Sequence, residues 1–392
     1  MKKVILMTAC IAAVLLSGCS DNELASVGDG IGTSTQSAIG FHVVGNQAET
    51  RATPITQSNI TDHQFNVYAF TIDGKEFMGT DDTAQEKNGI NISYKGEVGS
   101  GKWDYTTSSD RHYWPESTPL NFYAVSPTDL PYFSWQISND TKKIQYVSYD
   151  EYKLEFENKN GVMTKVDSYP YVDVMYAIAT EQTKDNNNGT VKLQFRHITS
   201  QIVFKAKTEL ANMSVNIQSI KFYNFDTSGS FTIPTSAGDI SRNDWKLNDL
   251  LHATKGFTVF MDKSTDGQDK SIDVSSTEKE ISDGPMLLIP QELKKWDTSH
   301  NIEQANNNKE CYLEITCKIK QGDVFLFGSA TEYKKLYVPF GATWEPGKRY
   351  IYTLIFGGGY NAQGQSILQP INFTTEVDAW GEAGATEIDV NK

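Results

Sequence analysis

Cysteine is scarce, with four in 392 residues, which excludes a disulfide-dense scaffold. Cationic side chains are outnumbered: 35 Lys and Arg face 49 Asp and Glu, for a formal net charge of −14. Phosphates repel such a chain, so nucleic acid is not an expected partner. Helical periodicity is nearly absent; Gln291 to Trp296 reads as one short turn. The six histidines (His42, His63, His112, His197, His252, His300) are scattered, with no HExxH and no His-x-His. There is no G-x-S-x-G elbow and no P-loop. In Asp185-Asn186-Asn187-Asn188-Gly189 the glycine comes one residue too early for a calcium loop, and Arg196 stands where the bidentate Glu belongs. Gly357-Gly358-Gly359 follows a strand pattern with no helix behind it, so it reads as a loop and not a phosphate cradle. No catalytic, cofactor or metal site is expected, and the chain does not read as an enzyme. What is plentiful is aromatic: 19 Tyr, 19 Phe and 7 Trp, within 39% hydrophobic residues, are enough to bury real cores.

The N-terminus, MKKVILMTACIAAVLLSGC, places two lysines before a 13-residue apolar run, Val4 to Leu16, too short to span a bilayer comfortably. It ends in Leu16-Ser17-Gly18-Cys19, which resembles the bacterial lipobox. Residues 1–18 are therefore expected to be a signal peptide, and the Cys19 thiolate to take the lipid that anchors the chain in the outer membrane. Acyl chains buried at about 0.8 kcal/mol per CH₂ make such an anchor stable. Ser20-Asp21-Asn22-Glu23 resembles the surface-export signal of Bacteroidetes lipoproteins. Residues 19–37, rich in Ser, Gly, Asp, Asn and Thr, read as a flexible tether.

From Ala38 onward the pattern has period two. Ile39, Phe41 and Val43 alternate, as do Val191, Leu193 and Phe195, and Tyr350, Tyr352, Leu354 and Phe356. Phe65 to Ile72, Leu120 to Val125, Ile220 to Phe225 and Met286 to Ile289 are apolar on both faces, as in strands covered on two sides. Turn signals such as Asp73-Gly74, Asn188-Gly189 and Pro346-Gly347 separate them. This pattern predicts an all-β protein. Its length exceeds one sandwich of ~100 residues, so two are expected, over 38–188 and 189–392, with the polar stretch 181–189 as the seam.

Single residues invite closer reading. Cys311 and Cys317 lie six apart on one strand face, about 20 Å of strand, beyond disulfide reach, and read as small buried hydrophobes. His197 shares the inward parity of Phe195 and reads as a hydrogen-bonded core histidine. Trp135, Trp245 and Trp296 sit in less regular surroundings and are candidate surface platforms for sugar rings. Asp82-Thr83-Ala84 resembles the Bacteroidetes O-glycosylation acceptor, which makes Thr83 a candidate.

A series of motifs in order then points to a family. Ile39-Gly40-Phe41 precedes Thr50-Arg51-Ala52; Phe65 to Phe70 follows; Tyr113-Trp114-Pro115 comes before Leu120 to Ala124; Asp173 to Ala177 comes before Phe195 to Ile202. Leu288-Ile289-Pro290-Gln291, Trp344-Glu345-Pro346-Gly347 and Val377-Asp378-Ala379-Trp380 close the series. Over residues 39–380 it resembles the fimbrillin family of Bacteroidales, the subunits of type V pili.

The resemblance implies two transthyretin-like β-sandwiches, a lipoprotein precursor, and assembly with other pilus subunits by β-strand donation. In the family a surface protease cuts after an arginine behind the first strand, and a neighbour's extended segment fills the vacated groove. Arg51 and Ala52 match the two sides of that cut, and Pro54 keeps the local chain extended; Arg51 equally fits a plain loop position. The donor segment is expected near the C-terminus, where Ile371, Phe373 and Val377 alternate. Beyond Trp380 only Ile388 and Val390 are large and apolar, so a tip or accessory position suits the chain as well as a stalk. The alternative is a monomeric surface-anchored lipoprotein that binds a glycan or a host ligand.

Overall fold

The structure, a computed structural model, describes residues 37–44, 59–79, 89–98, 100–128, 133–138, 140–147, 156–159, 162–165, 173–236, 238–248, 253–262, 271–282, 286–368, 372–379 and 385–388. The proposed signal peptide, the tether up to residue 36, Cys19, Arg51, Ala52 and Thr83 lie outside them. Strands are numbered in chain order.

The first sheet contains β1 (Gly40–Val44), β2 (Phe65–Thr71), β3 (Glu76–Met78), β4 (Ile90–Lys95), β5 (Lys102–Tyr105), β6 (Leu120–Ser126), β11 (Met175–Gln182), β12 (Thr190–Gln194) and β13 (Arg196–His197). Its order is β12-β1-β5-β4-β2-β6-β11-β13, with β3 beside β2. The end strands β12 and β13 are joined by Phe195 alone, so the sheet curls back on itself around one core. That core takes Phe65, Val67 and Ala69 from β2 and Leu120, Phe122 and Ala124 from β6.

The opposite face is covered as well. β7 (Phe133–Ile137), β8 (Lys142–Val147), β16 (Ser228–Thr232) and β17 (Trp245–Leu247) form a four-stranded sheet, β17-β16-β8-β7. Ile144, Phe231 and Trp245 from it pack against Tyr68, Phe70, Tyr123 and Tyr176 of the first sheet. Burial from both sides is why β2 and β6 read as unbroken apolar runs.

Two further sheets enclose the largest core. One holds β14 (Ser200–Thr208), β20 (Lys279–Glu280), β21 (Met286–Leu288), β27 (Lys348–Phe356), β30 (Asn372–Ala379) and β31 (Ala385–Ile388). The other holds β15 (Met213–Tyr223), β18 (Phe257–Met261), β19 (Ile272–Val274), β23 (Tyr312–Gln321), β24 (Val324–Phe327), β25 (Lys334–Pro339), β28 (Gly358–Tyr360) and β29 (Ser366–Leu368). Cys311, Leu313, Ile315, Cys317 and Ile319 all point into this core, both cysteines as free thiols. A bulge against β23 between Ile217 and Ser219 shifts the parity of β15, so Val215 and Ile217 face inward and then Ile220 and Phe222 do. Two small ribbons, β9 (Phe156–Lys159) with β10 (Val162–Lys165) and β22 (Glu292–Leu293) with β26 (Ala342–Thr343), complete the strands.

The all-β expectation holds, with corrections in detail. Gln291 to Trp296 is not a helical turn; it contains β22, because Glu292 and Leu293 pair with Thr343 and Ala342. The single described α-helix is α1 (Ile302–Asn307), whose Asn301 and Gln304 cap it reciprocally. Gly357 to Gly359 is not a loop: β28 takes Gly358 and Gly359, paired with Leu368 and Ile367. Ile72, placed in a two-faced strand from sequence, is 60% exposed, since β2 ends at Thr71 and the Asp73-Gly74 turn begins. The stretch 181–189 leads through a 3-10 turn at Asn186–Gly189 into β12, which still belongs to the first sheet; sheet membership changes after His197.

Candidate functional site

β1 is short and lies inside its sheet, not at an edge. Gly40 to Val44 pair in parallel with Thr190 to Gln194 of β12, five residues in unbroken register. On the other side β1 meets β5 at Phe41 and Trp103 alone. Ile39 N–H donates to the His112 carbonyl at 3.0 Å, and Trp114 N–H donates to the Ser37 carbonyl at 3.0 Å, so the entry to the strand is pinned. Trp114 Nε1 donates to the Gly189 carbonyl at 2.9 Å, which fixes the start of β12 beside it. Gly40 is a close approach: a Cβ there would stand 3.2 Å from Thr190 Oγ1.

Alternation sends Ile39, Phe41 and Val43 into the core and leaves His42 exposed. The Phe41 ring meets Phe65, Tyr105 and Phe122 edge-on, at centroid distances of 6.1, 5.8 and 6.4 Å. Burial pushes the Tyr105 phenol up to about 12, a mark of how dry this trench is. Each of the three inward side chains contributes roughly 1.5–3 kcal/mol when fully buried.

β12 depends on β1. Among the described residues its only ladder is the one to β1. Its other side faces a cavity of about 350 Å³ lined by Tyr176, Ile178 and Thr180 of β11 and by Lys192 and Gln194 of β12 itself. Without β1, the backbone of β12 and the trench floor of Phe65, Phe122, Val191 and Leu193 would meet solvent together. Chemically, a trench of this kind could hold an extended apolar segment as it holds β1, with main-chain groups for affinity and alternate pockets for side chains.

The residues singled out from sequence fall apart into separate places. The strand that ends seven residues before Arg51 is in the groove, while Arg51 and Ala52 themselves are outside the described residues, as are Cys19 and Thr83. His197 is buried and its Nδ1 lies 2.9 Å from Asp173 Oδ1, a core pair. Two of the three candidate tryptophan platforms are corrected: Trp245 and Trp296 are 7% and 2% exposed, and their indole N–H groups donate to the carbonyls of Ile198 and His300. Only Trp135 is half-buried. Sequence reasoning found the alternation of β1 and of β12 but not that they are neighbours, because a pairing across about 150 positions leaves no local signal.

The chain is 22% identical over 412 residues to the fimbrium subunit Fim1C of Phocaeicola vulgatus, covering 97% of this chain and 98% of that protein. A crystal structure of a fimbrial protein from Bacteroides vulgatus superposes with a TM-score of 0.53 at 15% identity, over 88% of this chain and 99% of that one, and so shares the fold. A family model described as fimbrillin-like matches residues 50–380, and the chain belongs to that family.

Proposed function

We propose that the protein is a structural and adhesive subunit of a cell-surface fimbrium, exported as a lipoprotein anchored through Cys19 and assembled by strand exchange at the β1 groove. The observation that carries this reading is the position of β1: a five-residue strand, buried on one face, between two strands that close over nothing once it leaves. Cleavage between Arg51 and Ala52 would release it together with the lipid. An extended segment of a neighbouring subunit would then take its ladder on β12. β31 pairs with β30 of its own chain, Thr375 to Asp378 opposite Ile388 to Ala385. A subunit that keeps this pairing receives a strand without giving one, which supports a tip or accessory position; a stalk position requires β31 to leave.

N-terminal sequencing of surface material tests the reading. The expected start is Ala52 in filament fractions and lipidated Cys19 in the precursor. If all surface material begins at Cys19 and stays monomeric, the exchange mechanism is wrong and an anchored monomeric binder remains.

A further inference from the structure

The outer face of the β15-β23-β25-β28 layer carries a mixed aromatic and ionic row that strand exchange does not use. Register aligns Lys221, Glu314, Tyr337 and Tyr360 across four adjacent strands. Tyr223 lies two residues beyond Lys221 on the same face, and all three tyrosines are half-buried at the surface. Their rings are set by a small buried cluster beneath α1. Tyr223 stacks on Tyr312 at 4.8 Å and 12°. Tyr312 meets Tyr337 edge-on at 5.9 Å, and Trp296 meets Tyr360 edge-on at 5.9 Å. Tyr312 itself is anchored by donating to Asn306 Oδ1 at 2.9 Å. Among these rings sits Glu314, only 8% exposed, with Lys335 Nζ 3.0 Å from Oε1 and the Tyr337 hydroxyl donating to it.

We propose that this face, built on Tyr223, Glu314, Lys335, Tyr337 and Tyr360, is a binding site for an oligosaccharide. Adjacent strands are about 4.8 Å apart, so the row spans about 14 Å, the reach of two to three pyranose rings. A sugar is apolar on its ring faces and polar around its rim. The tyrosines match the faces, and the Glu314 carboxylate and Lys335 ammonium match the rim hydroxyls. An apolar protein surface fits less well, because it would strip water from the Lys335 ammonium, whose side chain is 57% exposed, and return no further acceptor. The rings are already fixed by their neighbours, so little side-chain freedom is lost on binding. The inference extends the adhesive part of the reading above and rests on surface display only.

The test is a printed array of neutral and acidic oligosaccharides probed with the purified chain, followed by titration of the glycans retained. The expected result is binding that weakens about tenfold or more in Tyr337→Ala and in Tyr360→Ala. Tyr337→Phe keeps the ring and should stay within about threefold of the parent. The unfolding midpoint of each variant separates lost binding from lost folding. An array with no retained glycan overturns the proposal, as does binding indifferent to both alanine variants. A photo-crosslinker at position 337 that joins a second protein chain in filaments also overturns it, in favour of a protein interface. Binding is read on isolated protein, so its failure leaves the cleavage result untouched, and the reverse holds.

Discussion

At the scale of single residues, four side chains report on how the core is built. Phe41 fills the trench between Phe65, Tyr105 and Phe122. Phe41→Ala is expected to cost about 3–5 kcal/mol in a urea titration, and to loosen β1 before the rest of the molecule. Burial pushes the Cys311 thiol up to about 12 and that of Cys317 further still, so neither forms thiolate near neutrality. Both should resist iodoacetamide in the folded chain and react once denaturant opens the largest core. Glu310, 1% exposed beneath α1, behaves differently. Burial pushes its carboxyl up, but the His300 ring, the Asp297 backbone N–H and Lys294 together hold it below the usual value. A depressed carboxyl stabilises the fold above its unfolded pKa of about 4.3, and that contribution fades as pH falls through the lower folded value. Glu310→Gln should therefore lower stability at pH 6 by about 1–3 kcal/mol. The gap between variant and parent should close at pH 3, measured as paired urea midpoints. Equal gaps at both pH values would contradict the assignment.

At the scale of elements, β1 and β12 form a pair in which one strand holds the other. A specific cut after Arg51 with β1 retained by its contacts should change the melting temperature little. Release of the 38–44 segment should lower it, raise binding of a hydrophobic dye, and be reversed by a synthetic peptide of the same seven residues. A cut and released form that neither binds dye nor takes back the peptide would show that the trench closes by itself. β27 illustrates how an element is placed without local instruction. Its alternation of Tyr350, Tyr352 and Leu354 specifies which face meets the largest core. Its parallel pairing with β14, eight residues from Gln201–Arg349 to Thr208–Phe356, depends on chain that arrives from about 150 positions away.

At the scale of the molecule, the two halves of the chain share a sheet. β16, from the second half, pairs with β8, from the first, through five registered residues, Ser228 opposite Val147 to Thr232 opposite Lys143. In the turn just before β17, Arg242 pairs with the Glu345 carboxylate, and the Arg242 backbone N–H donates to Glu345 Oε2 at 2.8 Å. Trp245 reaches from β17 to the Ile198 carbonyl, at the point where the chain passes from one half to the other. Mixed pairing of this kind ties the two halves into one cooperative unit. Circular dichroism and tryptophan fluorescence should therefore report a single coincident unfolding transition. Two resolved transitions in the unaltered chain would refute it.

The sequence alone determined the class of the fold and the identity of many of the buried residues. Strand alternation, two-faced apolar runs and turn dipeptides are local properties of side chains, and Cys311, Cys317, His197 and the inward face of β1 followed from them. It also carried the motif order that led to the fimbrillin family. The tertiary structure decided what depends on distant partners. It placed β1 between β12 and β5, joined the halves through the β8 and β16 pairing, buried Trp245 and Trp296, and brought Lys221, Glu314, Tyr337 and Tyr360 into one row. The physical reason is that hydrogen-bonded pairing between strands uses backbone groups that every residue shares. Which strand meets which is settled by closing the whole core and not by any single segment.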